Sequence, residues 1–87
     1  MLKQWTDDAW DDYVWWQSQD RKTLRRINSL IKDAERDPTD GLGKPEGLSG
    51  NLSGMFSRRI DQKNRLIYAV EGGVLYIYSC KDHYDDK

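Results

Sequence analysis

The chain has one cysteine, one histidine and almost no net charge, and each scarcity removes a class of function. A lone Cys80 cannot build a disulfide framework, so a reducing cytoplasm is the expected compartment. One histidine and one cysteine without ligand spacing support no metal site. Gly41-Leu42-Gly43-Lys44 fails as a phosphate loop because Pro45 follows the lysine and the glycine spacing is wrong, so no cofactor is expected. A formal charge of −1 leaves no global footprint of a nucleic-acid binder. No apolar run approaches membrane-spanning length, and the first residues form neither a signal h-region nor a transit peptide. The expectation is a soluble protein with no membrane contact.

What is present is aromatic and locally charged. The 87 residues are read as a single domain, 1–87, whose size allows roughly 60–65% of the unfolded surface to be buried. Four tryptophans and five tyrosines partly offset that small size. Residues 1–20 sum to −4, residues 21–37 to +3, residues 44–68 to +3 and residues 69–87 to −2. A near-neutral chain can therefore still carry a basic face.

Leu2 to Trp5 is a short extended candidate. Thr6, followed by Asp7 and Asp8, starts a helix with a hydroxyl cap and acids at the positive end of the dipole. Ala9, Tyr13 and Trp16 recur at helical spacing, which puts Trp10 and Trp16 in the core and leaves Trp15 exposed for a partner. Asp20 caps a second helix with a stripe of Leu24, Ile27, Ile31 and Ala34, Leu30 beside it, and a basic opposite face. Asp37-Pro38 ends that helix. Only Ser18 to Asp20 separate the two, so they form an antiparallel hairpin. A glycine-rich loop with one short strand near Leu48 leads to strands over 55–61, 65–71 and 74–82, divided by Asp-Gln-Lys-Asn and Glu-Gly-Gly turns. The class is α+β: an N-terminal α-hairpin on one face of a small twisted antiparallel sheet.

The stretch from Gly43 to Tyr68 holds Arg58, Arg59 and Arg65 beside one acid, Glu46. Surface strand arginines are ordinary, yet three of them beside a base suit a phosphodiester. Period-two geometry sets Arg59 opposite in face to Phe56, Arg58 and Ile60, so at most one of the adjacent pair faces the helices. Arg58 is expected to be structural. Arg65 shares a face with Ile67 and Ala69. A two-residue Gly72-Gly73 turn puts Arg65 on the face of Cys80 and Asp82, whereas a shift by one puts it with Lys81 and His83. Both registers fit the sequence. Metal-free RNA cleavage requires a base for the 2′-hydroxyl, an acid for the departing 5′-oxygen and cations around the phosphorane. Glu46, His83 and Arg59 with Arg65 are candidates for those roles.

The order of the residues adds weight. Trp10-Asp11-Asp12-Tyr13, Ile27 to Asp33, Gly43-Lys44-Pro45-Glu46, Asn51-Leu52-Ser53-Gly54, Ser57-Arg58-Arg59-Ile60, Arg65 to Val70 and Cys80-Lys81-Asp82-His83-Tyr84 together resemble the Txe/YoeB branch of the RelE/ParE toxin superfamily. The resemblance covers nearly the whole chain. It implies a RelE-like fold and a ribosome-dependent endoribonuclease cutting mRNA in the A site of the 70S ribosome. It also implies a YefM-type antitoxin as partner and a possible homodimer. By the same resemblance Glu46 is the general base, His83 the general acid and Arg65 catalytic beside them. Arg59, Tyr84 and Lys44 would bind substrate, Tyr84 by stacking on a base. Ser49 stands where the family often has a lysine, and Asp85-Asp86-Lys87 extends past Tyr84, where many members end. The acid pair is expected to repel substrate phosphate and slow cleavage. The alternatives are a ParE-like binder of DNA gyrase, which needs no acid and base, and a ribosome- or RNA-binding module without catalysis.

Overall fold

A computed structural model describes residues 1–82. Strand β1 (Leu2–Trp5) leads into helices α1 (Asp7–Gln17) and α2 (Arg21–Arg36). Strands β2 (Glu46–Gly47), β3 (Phe56–Arg59), β4 (Arg65–Glu71) and β5 (Val74–Ser79) follow. The helix ends are where local chemistry sets them. The Thr6 hydroxyl accepts from the Ala9 amide at 3.0 Å, and Asp20 takes the Lys22 and Thr23 amides at the start of α2. Asp37, ahead of Pro38, closes α2 in an extended conformation.

The sheet runs β1-β5-β4-β3-β2. It is mixed, not purely antiparallel, because β1 lies parallel to β5 with Leu2 opposite Val74 and Trp5 opposite Ile77. Both sides of β4 are taken by its hairpin neighbours, so the open edge of β5 receives the N-terminal strand in the direction that feeds α1 back over the sheet. The short strand expected near Leu48 is centred slightly earlier, with Glu46 opposite Ser57 and Gly47 opposite Phe56.

One sheet face carries the helices. Ile27, Leu30, Ile31 and Ala34 of α2 meet Leu66, Tyr68, Leu75, Ile77 and Cys80, all of them buried. From α1, Ala9 and Trp16 join that core, but Trp10 does not. Trp10 follows Ala9 by about 100° of helix rotation and remains 49% exposed, with its ring edge-on to Trp5 at 5.6 Å. The sequence assignment of Trp10 to the core is thus corrected. Trp15 is exposed as expected, with the Lys81 ammonium 4.8 Å from its ring centre. Among the described residues, no helix is long and apolar enough to cross a membrane.

Neither simple register of β5 holds throughout. Glu71 pairs with Val74 across a two-residue Gly72-Gly73 turn, yet Tyr68 pairs with Ile77 and Ile67 with Ser79. Tyr78 is the additional residue of a bulge, and beyond it the register has moved by one. Thr6 stabilises that irregularity, since its amide donates to Ile77 O at 3.1 Å and its hydroxyl to Tyr78 O at 3.0 Å.

Candidate active site

Directly opposed residues share a sheet face, so the register locates the candidate side chains. Glu46 pairs with Ser57 and Ser57 with Ile67, which puts Glu46 on the face away from the helices. Two residues along β3, Arg59 lies on that same face opposite Arg65. Glu46, Arg59 and Arg65 are therefore brought together on the helix-free face by three adjacent strands. Glu46 and Arg59 are exposed, and Arg65 is half-buried.

The β3–β4 turn orients Arg65. Asp61 accepts from the amides of Lys63 and Asn64 at 2.8 and 2.7 Å, and Asn64 Nδ2 also donates to it. Burial by itself raises the Asp61 carboxyl, but the hydrogen bonds from Asn64 and Lys63 prevail and hold it below the usual carboxylate range. Arg65 Nη1 donates to the carbonyl oxygens of Asp61 at 2.6 Å and Asn64 at 3.1 Å. The Arg65 amide also donates to Asp82 O at 3.0 Å, while Asp82 N donates to Asn64 Oδ1 at 2.7 Å. The turn and the end of the described chain thus brace each other beside Arg65.

A groove of about 550 Å³ opens at this end of the hairpin, lined by Arg26, Arg59, Ile60, Asp61, Gln62 and Arg65. Arg26 belongs to α2 and donates to Arg59 O at 3.1 Å. Sequence reasoning placed it only on a generic basic face, since nothing local reveals that this turn of α2 packs beside the β3–β4 turn. Lys44 is exposed in a left-handed conformation, φ 51°, two residues before Glu46. His83 and Tyr84, like Asp85-Asp86-Lys87, lie outside the described residues.

Helix α1 holds the chain just before those residues. Asp12 accepts from the Cys80 amide at 3.1 Å, and the Trp16 indole donates to Cys80 O at 2.8 Å. Burial pushes the Asp12 carboxyl above its ordinary value. Burial also drives the Cys80 thiol up to about 12, with Asp12 adding to the effect. At pH 8 that leaves the sulfur almost entirely in the unreactive thiol form. Cys80 is expected to resist iodoacetamide in the native protein and to react once urea unfolds it. Labelling followed by mass spectrometry reads this directly, and rapid native labelling contradicts the burial of Cys80.

Arg58 takes the opposite face, as anticipated from strand alternation. Its side chain is fully buried and pairs with Asp33 at 2.6 Å. Hydrogen bonds from Arg36 and then Arg58, with the Leu42 amide, hold the Asp33 carboxyl far below the usual carboxylate range. A depressed folded-state pKa means that this contribution to stability is complete above about pH 5. It is lost as pH falls below about 4 towards the depressed value. Asp33→Asn is therefore expected to reduce the loss of urea stability between pH 7 and pH 3. An unchanged pH difference in the variant refutes the assignment.

The geometry has close counterparts. Residues 5–84 match the family model of the YoeB-like toxin of bacterial type II toxin–antitoxin systems. The chain belongs to the YoeB toxin family. Toxin YoeB of Escherichia coli K12 is 50% identical over 80 residues, covering 92% of this chain and 95% of that one. A YoeB/ParE toxin from Agrobacterium tumefaciens superposes with a TM-score of 0.94 at 44% identity, covering 97% of this chain and 100% of the other. The YoeB of Staphylococcus aureus, solved in a complex with YefM, gives a TM-score of 0.88 at 40% identity over 97% and 99% of the two chains. It has also been solved as a dimer, with a TM-score of 0.89 at 40% identity over 97% and 98%. Membership in the YoeB family accounts for the two-helix, five-stranded architecture and for its role as the toxin of a toxin–antitoxin pair.

Proposed function

We propose that this YoeB-family toxin is a ribosome-dependent endoribonuclease that cleaves mRNA in the A site without a metal ion. The reading is carried by one observation: Glu46 shares the helix-free face with Arg59 and its cross-strand partner Arg65. In the reaction, the Glu46 carboxylate takes the proton of the 2′-hydroxyl, and that oxygen attacks the adjacent phosphorus. Arg65 and Arg59 stabilise the added negative charge of the phosphorane. The bond from phosphorus to the 5′-oxygen then breaks, and His83 donates the proton that the leaving oxygen needs. The products are a 2′,3′-cyclic phosphate and a 5′-hydroxyl end. Tyr84 stacks on a base, and Lys44 adds a cation beside Glu46.

Toeprinting of translating ribosomes tests this. At a single early time point wild type is expected to give an A-site cut, and Glu46→Ala and His83→Ala a strongly reduced one. Ribosome binding without a cut in the wild type favours the inert binder, and gyrase-linked DNA breaks favour a ParE-like toxin. The same assay tests the acidic tail: a chain ending at Tyr84 is expected to cut faster than the full chain at low salt.

The partners follow the family. A YefM-type antitoxin neutralises the toxin, and a cytoplasmic setting supplies ribosomes. A homodimer is the second association, as in the Staphylococcus aureus relative solved as a dimer. Sedimentation with and without antitoxin, across toxin concentrations, reads both associations; a strictly monomeric toxin at all concentrations argues against the dimer.

A further inference from the structure

Between the end of α2 and Glu46 the chain runs through residues 37–45 without regular structure. Glu46 itself pairs with Ser57, but β2 is only two residues long and the loop leading into it has no ladder of its own. What replaces the ladder is a single buried guanidinium. Arg58 Nη2 donates to Asp37 O at 2.5 Å and Asp40 O at 3.1 Å, and Nη1 to Leu42 O at 2.9 Å. Nη1 also donates to Asp33 Oδ2 at 2.6 Å, and Nε to the Tyr68 hydroxyl at 2.9 Å. An arginine has five N–H donors, and all five are used.

The surrounding groups complete the clamp. Asp33 Oδ2 accepts the Leu42 amide at 2.8 Å, and the Tyr68 hydroxyl donates to Pro38 O at 2.5 Å. One residue beyond Leu42, Gly43 O accepts from the Arg59 amide at 2.7 Å. Gly43 has φ +78°, and a Cβ there would lie 2.8 Å from Leu30 Cδ2 and 3.1 Å from Arg59 O. The loop is therefore pressed onto β3 at Gly43, three residues ahead of Glu46. Burying a guanidinium is costly, and replacing a buried ion pair by apolar residues is often neutral or stabilising. Stability alone is thus a weak reason for a fully buried Arg58, whereas fixing three loop carbonyls needs a planar fork of donors.

We infer that Arg58 is a positioning residue for Glu46: it fixes the loop that leads into the base, while its neighbour Arg59 faces the substrate side. The inference rests on the reading of Glu46 as the general base. Arg58→Lys keeps the charge and loses the fork. In that variant the amides of Leu42 and Arg59, which donate to Asp33 and to Gly43 O, are expected to exchange with solvent at least about tenfold faster. Amides of Leu75 to Ile77 should keep wild-type protection. Single-turnover cleavage should fall by about 10–100-fold with ribosome affinity nearly unchanged, as misplacing a catalytic group by about 1 Å can cost 10²-fold. In a Glu46→Ala background, Arg58→Lys should cause no further loss, because residues acting through one another are not additive.

Unchanged protection of the loop, protection lost equally across the sheet, or losses that multiply in the double variant each overturn the inference. If Glu46→Ala by itself cleaves like wild type, the base assignment falls, and the exchange pattern still decides whether Arg58 holds the loop. Should Arg58→Lys fail to fold, Tyr68→Phe removes the Nε acceptor and the Pro38 tie with less disruption, and the same comparisons apply.

Discussion

Arg65→Ala is expected to lower the single-turnover rate of A-site cleavage by about 10²–10³-fold, the range found when one preorganised transition-state donor is removed. Binding to the ribosome should change by no more than about threefold, since in the proposed mechanism the interaction is made mainly as charge develops on the phosphate. Preorganisation is the reason for the size of the effect. Arg65 Nη1 is held by the carbonyls of Asp61 and Asn64, within a turn that Asp61 caps through two amides. In the proposed reaction the guanidinium therefore need not reorganise. Arg65→Lys should recover little of the rate, because an ammonium on a flexible stem lacks the fork that meets both the carbonyls and the phosphate. Arg59 is exposed, and its replacement is expected to act more through substrate binding, with a stronger dependence on salt. Cleavage by Arg65→Ala within about threefold of wild type would falsify its assignment to the phosphorane.

Trp16→Ala is expected to cost about 3–5 kcal/mol of stability, the range for buried Phe and Trp truncations. Trp16 is only 7% exposed, and its indole donates to Cys80 O at 2.8 Å. Truncation leaves a cavity between α1 and the sheet and a buried carbonyl without its donor. A domain of this length has a total stability of roughly 4–13 kcal/mol. A melting temperature lower by on the order of 20 °C is therefore anticipated. Trp10→Ala, from the exposed side of the same helix, should cost only about 1 kcal/mol, the scale of its aromatic contacts with Trp5 and Tyr13. Urea titrations of the two variants side by side measure the contrast. Equal losses would mean that Trp10 contributes to the core after all.

Those two tryptophans show where sequence reasoning stops. Helical spacing correctly assigned Ala9 and Trp16 to the buried side, but the aromatic face looked wider than it is. Only the position of the sheet shows that Trp10 has rotated past its edge. The apolar stripe of α2 was legible because Ile27, Leu30, Ile31 and Ala34 lie within one helix and report on each other. The separation of Arg58 from Arg59 was legible for a similar reason, since alternation along a strand is strictly local. Arg26 in the groove was not, because its neighbours there are more than thirty residues away in the chain.

By itself the sequence determined the helix caps at Thr6 and Asp20, the stop at Asp37-Pro38, the α+β class and the residues in the Glu46–Arg65 stretch. Each depends on interactions within a few residues, where hydrogen bonding and backbone sterics are decided by neighbours in the chain. Tertiary structure decided the parallel docking of β1, the bulge at Tyr78 and the five acceptors of Arg58. These are contacts between segments ten or more residues apart, and their free energy appears only when the sheet and the helical hairpin have closed on one another.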